Sequence, residues 1–126
     1  MKKLSILIVD DSSVMRRIVE RAVRQTGISL EKVMEAENGA VALEILQTQT
    51  PGLVLCDINM PTMDGLELLR HLQEAGAAQT VPILMITTEG SESKVMEAIS
   101  LGARGYIRKP FTPSDIRDQI SNVLQV

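Results

Sequence analysis

Four stretches of the chain carry side chains that phosphoryl chemistry could use: Asp10-Asp11, Asp57, Thr87-Thr88 and Lys109-Pro110. Each follows a short apolar run, so whatever sets the ends of those runs side by side also gathers three carboxylates, a hydroxyl and an ammonium. Crowded carboxylates repel and raise one another's pKa unless a cation neutralises them. A hard divalent ion meets that need. Mg²⁺ takes oxygen ligands, keeps several waters and binds through one or two carboxylates plus a phosphate, which suits so small an acidic set better than an all-protein Ca²⁺ cage. What remains to be supplied is a phosphoryl group. A carboxylate can attack phosphorus and form an aspartyl-phosphate while metal and lysine spread the transferred charge, and Asp57 fits as that nucleophile.

The elements that must position these residues are legible in the apolar runs Leu4 to Val9, Val33 to Ala36, Leu53 to Cys56, Val81 to Ile86 and Gly105 to Ile107. They read as five largely buried strands. Between them lie segments of helical periodicity, such as Met15, Ile18, Val19 and Ala22, or Ile116, Ile120, Val123 and Leu124, and five helices are expected. Ser12 or Ser13 can cap the first helix, with Gly27 past its end, and Thr112 or Ser114 stands at the start of the last, with Pro113 in its first turn. The second helix spans the modest stretch Ala40 to Leu46, and Asn38-Gly39 before it reads as a turn in which glycine tolerates positive φ. Strict alternation of strand and helix implies an α/β fold: a doubly wound parallel sheet with right-handed crossovers and helices on both faces. Ligands of such sheets sit beyond the carboxyl ends of the strands, where the four polar stretches fall.

Taken in order, Asp10-Asp11, the run Asp57-Ile58-Asn59-Met60-Pro61-Thr62-Met63-Asp64-Gly65, Thr87, and Tyr106-Ile107-Arg108-Lys109-Pro110-Phe111 resemble the signature of two-component response-regulator receiver domains across nearly the whole chain. Within that family the likeness is to the stand-alone chemotaxis regulators of CheY type, because Asn59 and Tyr106 stand where those regulators usually carry them, and no output domain is expected. The resemblance implies a flavodoxin-like, CheY-like sheet of order 2-1-3-4-5, which spacing alone does not provide. It makes Asp57 the phosphoacceptor, Asp11 and Asp57 direct Mg²⁺ ligands, Asp10 a ligand through water, and the Asn59 backbone carbonyl a further ligand. Lys109 would contact the phosphoryl oxygens. Thr87 would bond the same group and draw Tyr106 from an exposed to a buried rotamer, reshaping the face near the fourth helix and fifth strand. A cis Lys109-Pro110 bond belongs to the same pattern. Asn59 and Glu89, two beyond the phosphoacceptor and two beyond the switch threonine, would tune dephosphorylation. Thr88 departs from the small residue usual at its position and would crowd the approach to the site. The implied partners are a histidine kinase as phosphodonor and a downstream protein, with the flagellar motor switch as the candidate target.

Composition agrees with a single receiver domain over residues 1–126: the 126-residue chain with 44% hydrophobic residues can bury a core without disulfides. A formal charge of −3 offers nucleic acid and anionic membranes no net attraction. No apolar stretch approaches the roughly 20 residues that cross a bilayer, and the apolar run after Met1-Lys2-Lys3 meets Asp10-Asp11 too soon for a signal peptide, so a cytoplasmic protein is expected. The lone Cys56 reads as inert packing in a buried strand, and His71 as part of a solvated helix face opposite Leu66, Leu69 and Leu72. Arg17, Arg21 and Arg24 recur at helical spacing beside Arg16, a stripe expected to face solvent, on a helix near which kinases of this family often dock.

The competing activity is that of a Mg²⁺-dependent phosphohydrolase with an aspartyl nucleophile. Enzymes of the haloacid-dehalogenase type place a second carboxylate two residues after that nucleophile, where this chain has Asn59, and their cap insertion is missing. A nucleotide-binding module is disfavoured because neither a G-x-x-x-x-G-K-[ST] loop nor a G-x-G-x-x-G turn follows any strand.

Overall fold

In the computed structural model, which describes residues 3–76, 81–88 and 90–124, strands and helices alternate without exception. They are β1 (Leu4–Val9), α1 (Ser13–Gln25), β2 (Leu30–Ala36), α2 (Gly39–Leu46), β3 (Leu53–Cys56), α3 (Gly65–Glu74), β4 (Ile83–Thr87), α4 (Glu92–Ser100), β5 (Gly105–Arg108) and α5 (Pro113–Leu124). The strands form one five-stranded parallel sheet in the order β2-β1-β3-β4-β5. Among the described residues no helix is long and apolar enough to cross a membrane.

Period-two alternation along the strands divides the core into two layers. Leu7, Val9, Val54, Cys56, Ile83 and Met85 face one side and pack against Ala42 of α2, Leu68, Leu69 and Leu72 of α3 and Ala98 of α4. Ile6, Ile8, Leu53, Leu55, Leu84 and Ile86 face the other, against Val19 and Val23 of α1 and Ile116 and Ile120 of α5. Fully burying a Leu or Ile is worth about 1.5–3 kcal/mol, so the central strands, buried on both faces, are the rigid part of the molecule. That rigidity fixes where the strand ends lie.

Three strands differ in their bounds from the sequence expectation. β2 begins at Leu30 rather than Val33, because an edge strand can continue its ladder through exposed Glu31 and Lys32 with one register shift between Leu4 and Ser5. β4 begins at Ile83 rather than Val81 and runs on through Thr87. Pro82 has no N–H to give a ladder, although its carbonyl accepts from Val54 N–H at 2.9 Å. β5 extends one residue to Arg108.

Caps close the helices that carry the site. Ser12, not Ser13, caps α1 by accepting from Met15 N–H, and Gly27 beyond the helix adopts φ +88°. Asp64 and Glu67 form a reciprocal capping box at the start of α3. Thr112 accepts from Asp115 N–H while the Asp115 carboxylate accepts from Thr112 N–H, with Pro113 as the first helical residue of α5. The expectation for Asn38-Gly39 is corrected: Asn38 is the N-cap of α2, and Gly39 opens the helix. Glycine is needed there for close approach, since a Cβ would lie 2.8 Å from the Met63 carbonyl oxygen.

Candidate functional site

Beyond the carboxyl ends of β1 and β3, carboxylate oxygens of Asp10, Asp11 and Asp57 come within 4.8 Å of one another. Each arrives by a different local device. Asp10 follows the last residue of β1, its N–H donating to Ala36 O at 3.1 Å, and its Oδ1 accepts from Ser12 N–H at 2.9 Å. That bond bends the chain into α1 and leaves Asp11 exposed at the rim. Asp57 follows β3, its N–H bonded to Val9 O at 2.9 Å, and its Oδ1 accepts from Ile58 N–H at 2.7 Å and Asn59 N–H at 3.4 Å. Asp10 and Asp57 are buried, at 4% and 8% exposure, which makes their charges costly unless compensated.

Compensation comes from Lys109, after β5. Its Nζ donates to Asp10 Oδ2 at 2.9 Å and to Asp57 Oδ2 at 3.3 Å. Burial of the lysine opposes its charge, but the hydrogen bond to Asp10 and the charges of Asp57 and Asp10 outweigh it and hold the ammonium above its ordinary pKa. The Lys109 N–H bonds to the Thr87 carbonyl at 2.9 Å, and the Lys109-Pro110 peptide is cis, as the resemblance implied. The ammonium pairs with two of the three clustered carboxyl groups, and hard oxygen donors at this spacing fit Mg²⁺.

The other expected residues surround this centre unevenly. Thr87 is fully buried as the last residue of β4 rather than following it, while Thr88 is exposed. Tyr106 pairs in register with Met85 and is 45% exposed, beside a surface hollow lined by Arg108, Pro110, Asp115 and Asp118. Asn59 is exposed at the rim; Glu89 lies outside the described residues. Cys56 is buried and donates to the Asp57 carbonyl at 3.2 Å; burial first, then the charges of Asp57, Asp10 and Asp64, push its thiol far above the ordinary range, so it is inert to thiolate chemistry. His71 is exposed on α3.

Two residues with a clear part in the geometry carry no site role in the sequence expectation. Gly65 packs its α-carbon against the Asp57 backbone, and a Cβ there would meet the Asp57 carbonyl oxygen at 2.3 Å. Its place just after Asp64, in a stretch already resembling a signature, was the available signal. Arg16, beside the solvent-facing stripe of Arg17, Arg21 and Arg24, is drawn inward: its side chain is 16% exposed, against 54% for Arg24, and it binds the Asp10 carbonyl and Glu35. Helical spacing sets Arg16 beside buried Val19 and Val23 and apart from Arg17, Arg21 and Arg24, but it carries no information about the partners Asp10 and Glu35.

Comparison with known proteins agrees with this geometry. The family profile described as response regulator receiver domain matches residues 6–121. The chemotaxis protein CheY1 of Helicobacter pylori is 41% identical over 122 residues, covering 96% of this chain and 97% of that protein. A CheY homologue of Campylobacter jejuni is 38% identical over 122 residues, covering 96% and 92%. Among solved structures, chemotaxis protein CheY4 of Vibrio cholerae superposes with a TM-score of 0.83 at 32% identity, over 97% of this chain and 99% of that one. A CheY-like receiver domain protein of Methanospirillum hungatei superposes with a TM-score of 0.81 at 26% identity, over 98% and 95%. With the family profile spanning nearly every element and the same five-stranded order in place, the chain belongs to the response regulator receiver domains, as a phosphorylation-dependent regulator homologous to the CheY chemotaxis proteins.

Proposed function

We propose that Asp57 is the phosphoacceptor of a Mg²⁺-assisted switch that takes its phosphoryl group from a histidine kinase and passes the signal to a protein target, in chemotaxis and with the flagellar motor switch as the specific candidate. The observation that carries this reading is the Lys109 ammonium held between Asp10 and Asp57 at the open edge of a parallel sheet, with the Asp11 carboxylate beside them. Residues 1–126 act in it as one receiver domain in the cytoplasm.

The residues divide the work by position. Ile58 N–H fixes Asp57 Oδ1 and orients the carboxylate, so that Oδ2 is the oxygen that attacks phosphorus as the bond from phosphorus to the donor breaks and the leaving group departs with its electron pair. Lys109 turns from Asp57 Oδ2 to the arriving phosphoryl oxygens while Asp10 keeps it in reach. Asp10, Asp11, Asp57 and the Asn59 carbonyl are the groups that would hold Mg²⁺, which when bound neutralises charge on the transferred group. Thr87 is the residue assigned to sense the phosphoryl group, and Tyr106, exposed on the neighbouring strand, the one assigned to relay it.

Incubation with acetyl phosphate tests this reading. Wild-type protein is expected to gain one phosphoryl group in Mg²⁺ and none after chelation, and to leave p-nitrophenyl phosphate intact. Steady turnover of that phosphomonoester would instead make the protein a phosphohydrolase.

Signal lifetime gives a second prediction. An aspartyl-phosphate is lost when water reaches it in line, and Asn59 and Glu89, two residues beyond Asp57 and Thr87 in sequence, are the polar residues assigned to orient that water, a proximity effect. Thr88 crowds the same approach with a methyl and a hydroxyl. After removal of the phosphodonor, Thr88→Ala is expected to lose its label faster than wild type. The double variant Asn59→Met/Glu89→Tyr is expected to lose it slower by on the order of tenfold. Equal decay of wild type and double variant would exclude water positioning by the pair.

A further inference from the structure

We propose that Arg16 is a positioning residue for the acidic cluster, pinning the peptide that carries Asp10 and Asp11 and so setting how tightly the cluster takes up Mg²⁺. The inference deepens the proposed function and rests on its reading of Asp10, Asp11 and Asp57 as a cation site.

The backbone must leave β1 at Val9 and enter α1 after its Ser12 cap, so the Asp10-Asp11 peptide lies beyond the strand and before the helix. The Asp10 N–H is still held by the sheet through Ala36 O, but its carbonyl projects past the ladder. Arg16, one turn into α1, takes that carbonyl: Nη1 donates to Asp10 O at 2.6 Å. The Nε of the same guanidinium donates to Glu35 Oε1 at 2.8 Å, and Glu35 stands on β2 opposite Ile8 of β1. One planar fork therefore ties the first turn of α1, the loop bearing two carboxylates, and the second strand. This two-pronged geometry suits guanidinium and not a lysine ammonium. Because Glu35 is half exposed, the ion pair by itself adds little to stability.

The sign of the effect separates positioning from bystander charge. A cation that merely sat near the cluster would repel Mg²⁺, and its removal would tighten binding. A guanidinium that holds the carboxylates in register does the reverse: its removal lets the loop relax and weakens binding. Outer groups that orient metal ligands are worth about 10- to 100-fold in affinity.

Calorimetric titration with MgCl₂ tests this on the wild type, Arg16→Ala, Arg16→Met, which keeps the packed stem and guards the fold, and Arg16→Lys, which keeps the charge and loses the fork. Positioning predicts a Mg²⁺ dissociation constant about tenfold higher in Arg16→Ala and Arg16→Met. It also predicts weakened binding in Arg16→Lys and little change in the metal-free melting temperature of Arg16→Met. Binding as tight as wild type, or tighter, in the Ala and Met variants would overturn the inference while leaving the cation site standing. Absence of Mg²⁺ binding in the wild type itself would remove the site, and this inference with it.

Discussion

Asp57→Asn is expected to take up no phosphate from acetyl phosphate under conditions that label the wild type to completion, and to do so as a folded protein. The amide is nearly the same size as the carboxylate and keeps an oxygen to accept the Ile58 N–H now bound at 2.7 Å, so the turn after β3 survives. What disappears is the nucleophile, since an amide oxygen does not form a stable bond to phosphorus. Removing one of three crowded carboxylates also relieves repulsion, and Lys109 retains Asp10 at 2.9 Å. The melting temperature is therefore not expected to fall. Phosphoryl incorporation measured by intact mass, with melting followed in parallel, checks both halves. A label that persisted in Asp57→Asn would move the acceptor to Asp10 or Asp11. A variant that was unlabelled because it was unfolded would leave the acceptor to be located by peptide mapping of the wild type.

Gly65→Ala should produce the largest loss of stability from a single methyl group. The added Cβ would sit 2.3 Å from the Asp57 carbonyl oxygen and 3.0 Å from both Ile58 Cα and Met85 Cε. Met85 can swing aside, but the first two obstacles are backbone. Gly65 N–H is also bonded to Ile58 O at 2.8 Å, so α3 cannot withdraw without losing that bond. Overpacking typically costs about 1–3 kcal/mol, and a backbone clash belongs at the upper end, a fall of roughly 10 °C in melting temperature for a domain of this size. The strain falls on the peptide that carries the phosphoacceptor, so labelling of Gly65→Ala should slow even at temperatures where it is folded. Ala75→Gly, at the C-cap of α3, is the contrasting control, because it removes a methyl from an exposed site. A melting temperature for Gly65→Ala within about 2 °C of wild type would show that the α3 start can shift freely.

Arg16 and Gly65 share a lesson about how this site is built. Neither touches the phosphoryl chemistry directly; one binds the carbonyl of Asp10 and the other lies against the carbonyl of Asp57. The carboxylates are placed by the backbone, and the backbone is placed by these contacts.

Asp10, Asp11, Asp57, Thr87 and Lys109 could be read as a set from sequence alone because each ends a run of apolar residues. A parallel sheet has one carboxyl edge, so strand-end residues converge on it whatever the side chains elsewhere do. The alternation of strands and helices, and with it the fold class, was legible for the same reason: burial on both faces makes continuous apolar runs. The start of β2 is not legible in sequence because Glu31 and Lys32 hide an edge strand, whose stability comes from the ladder and not from its own apolar character. What tertiary structure alone decided were contacts between segments distant in sequence. It set Lys109 between Asp10 and Asp57, 99 and 52 residues away, and it joined Arg16 of α1 to the Asp10 carbonyl and to Glu35 on β2. It also reassigned Gly39 from a turn to a close approach against Met63. Local propensity encodes which way a side chain faces along its own element, whereas the atom it meets across a gap of a few ångströms depends on how the elements are stacked.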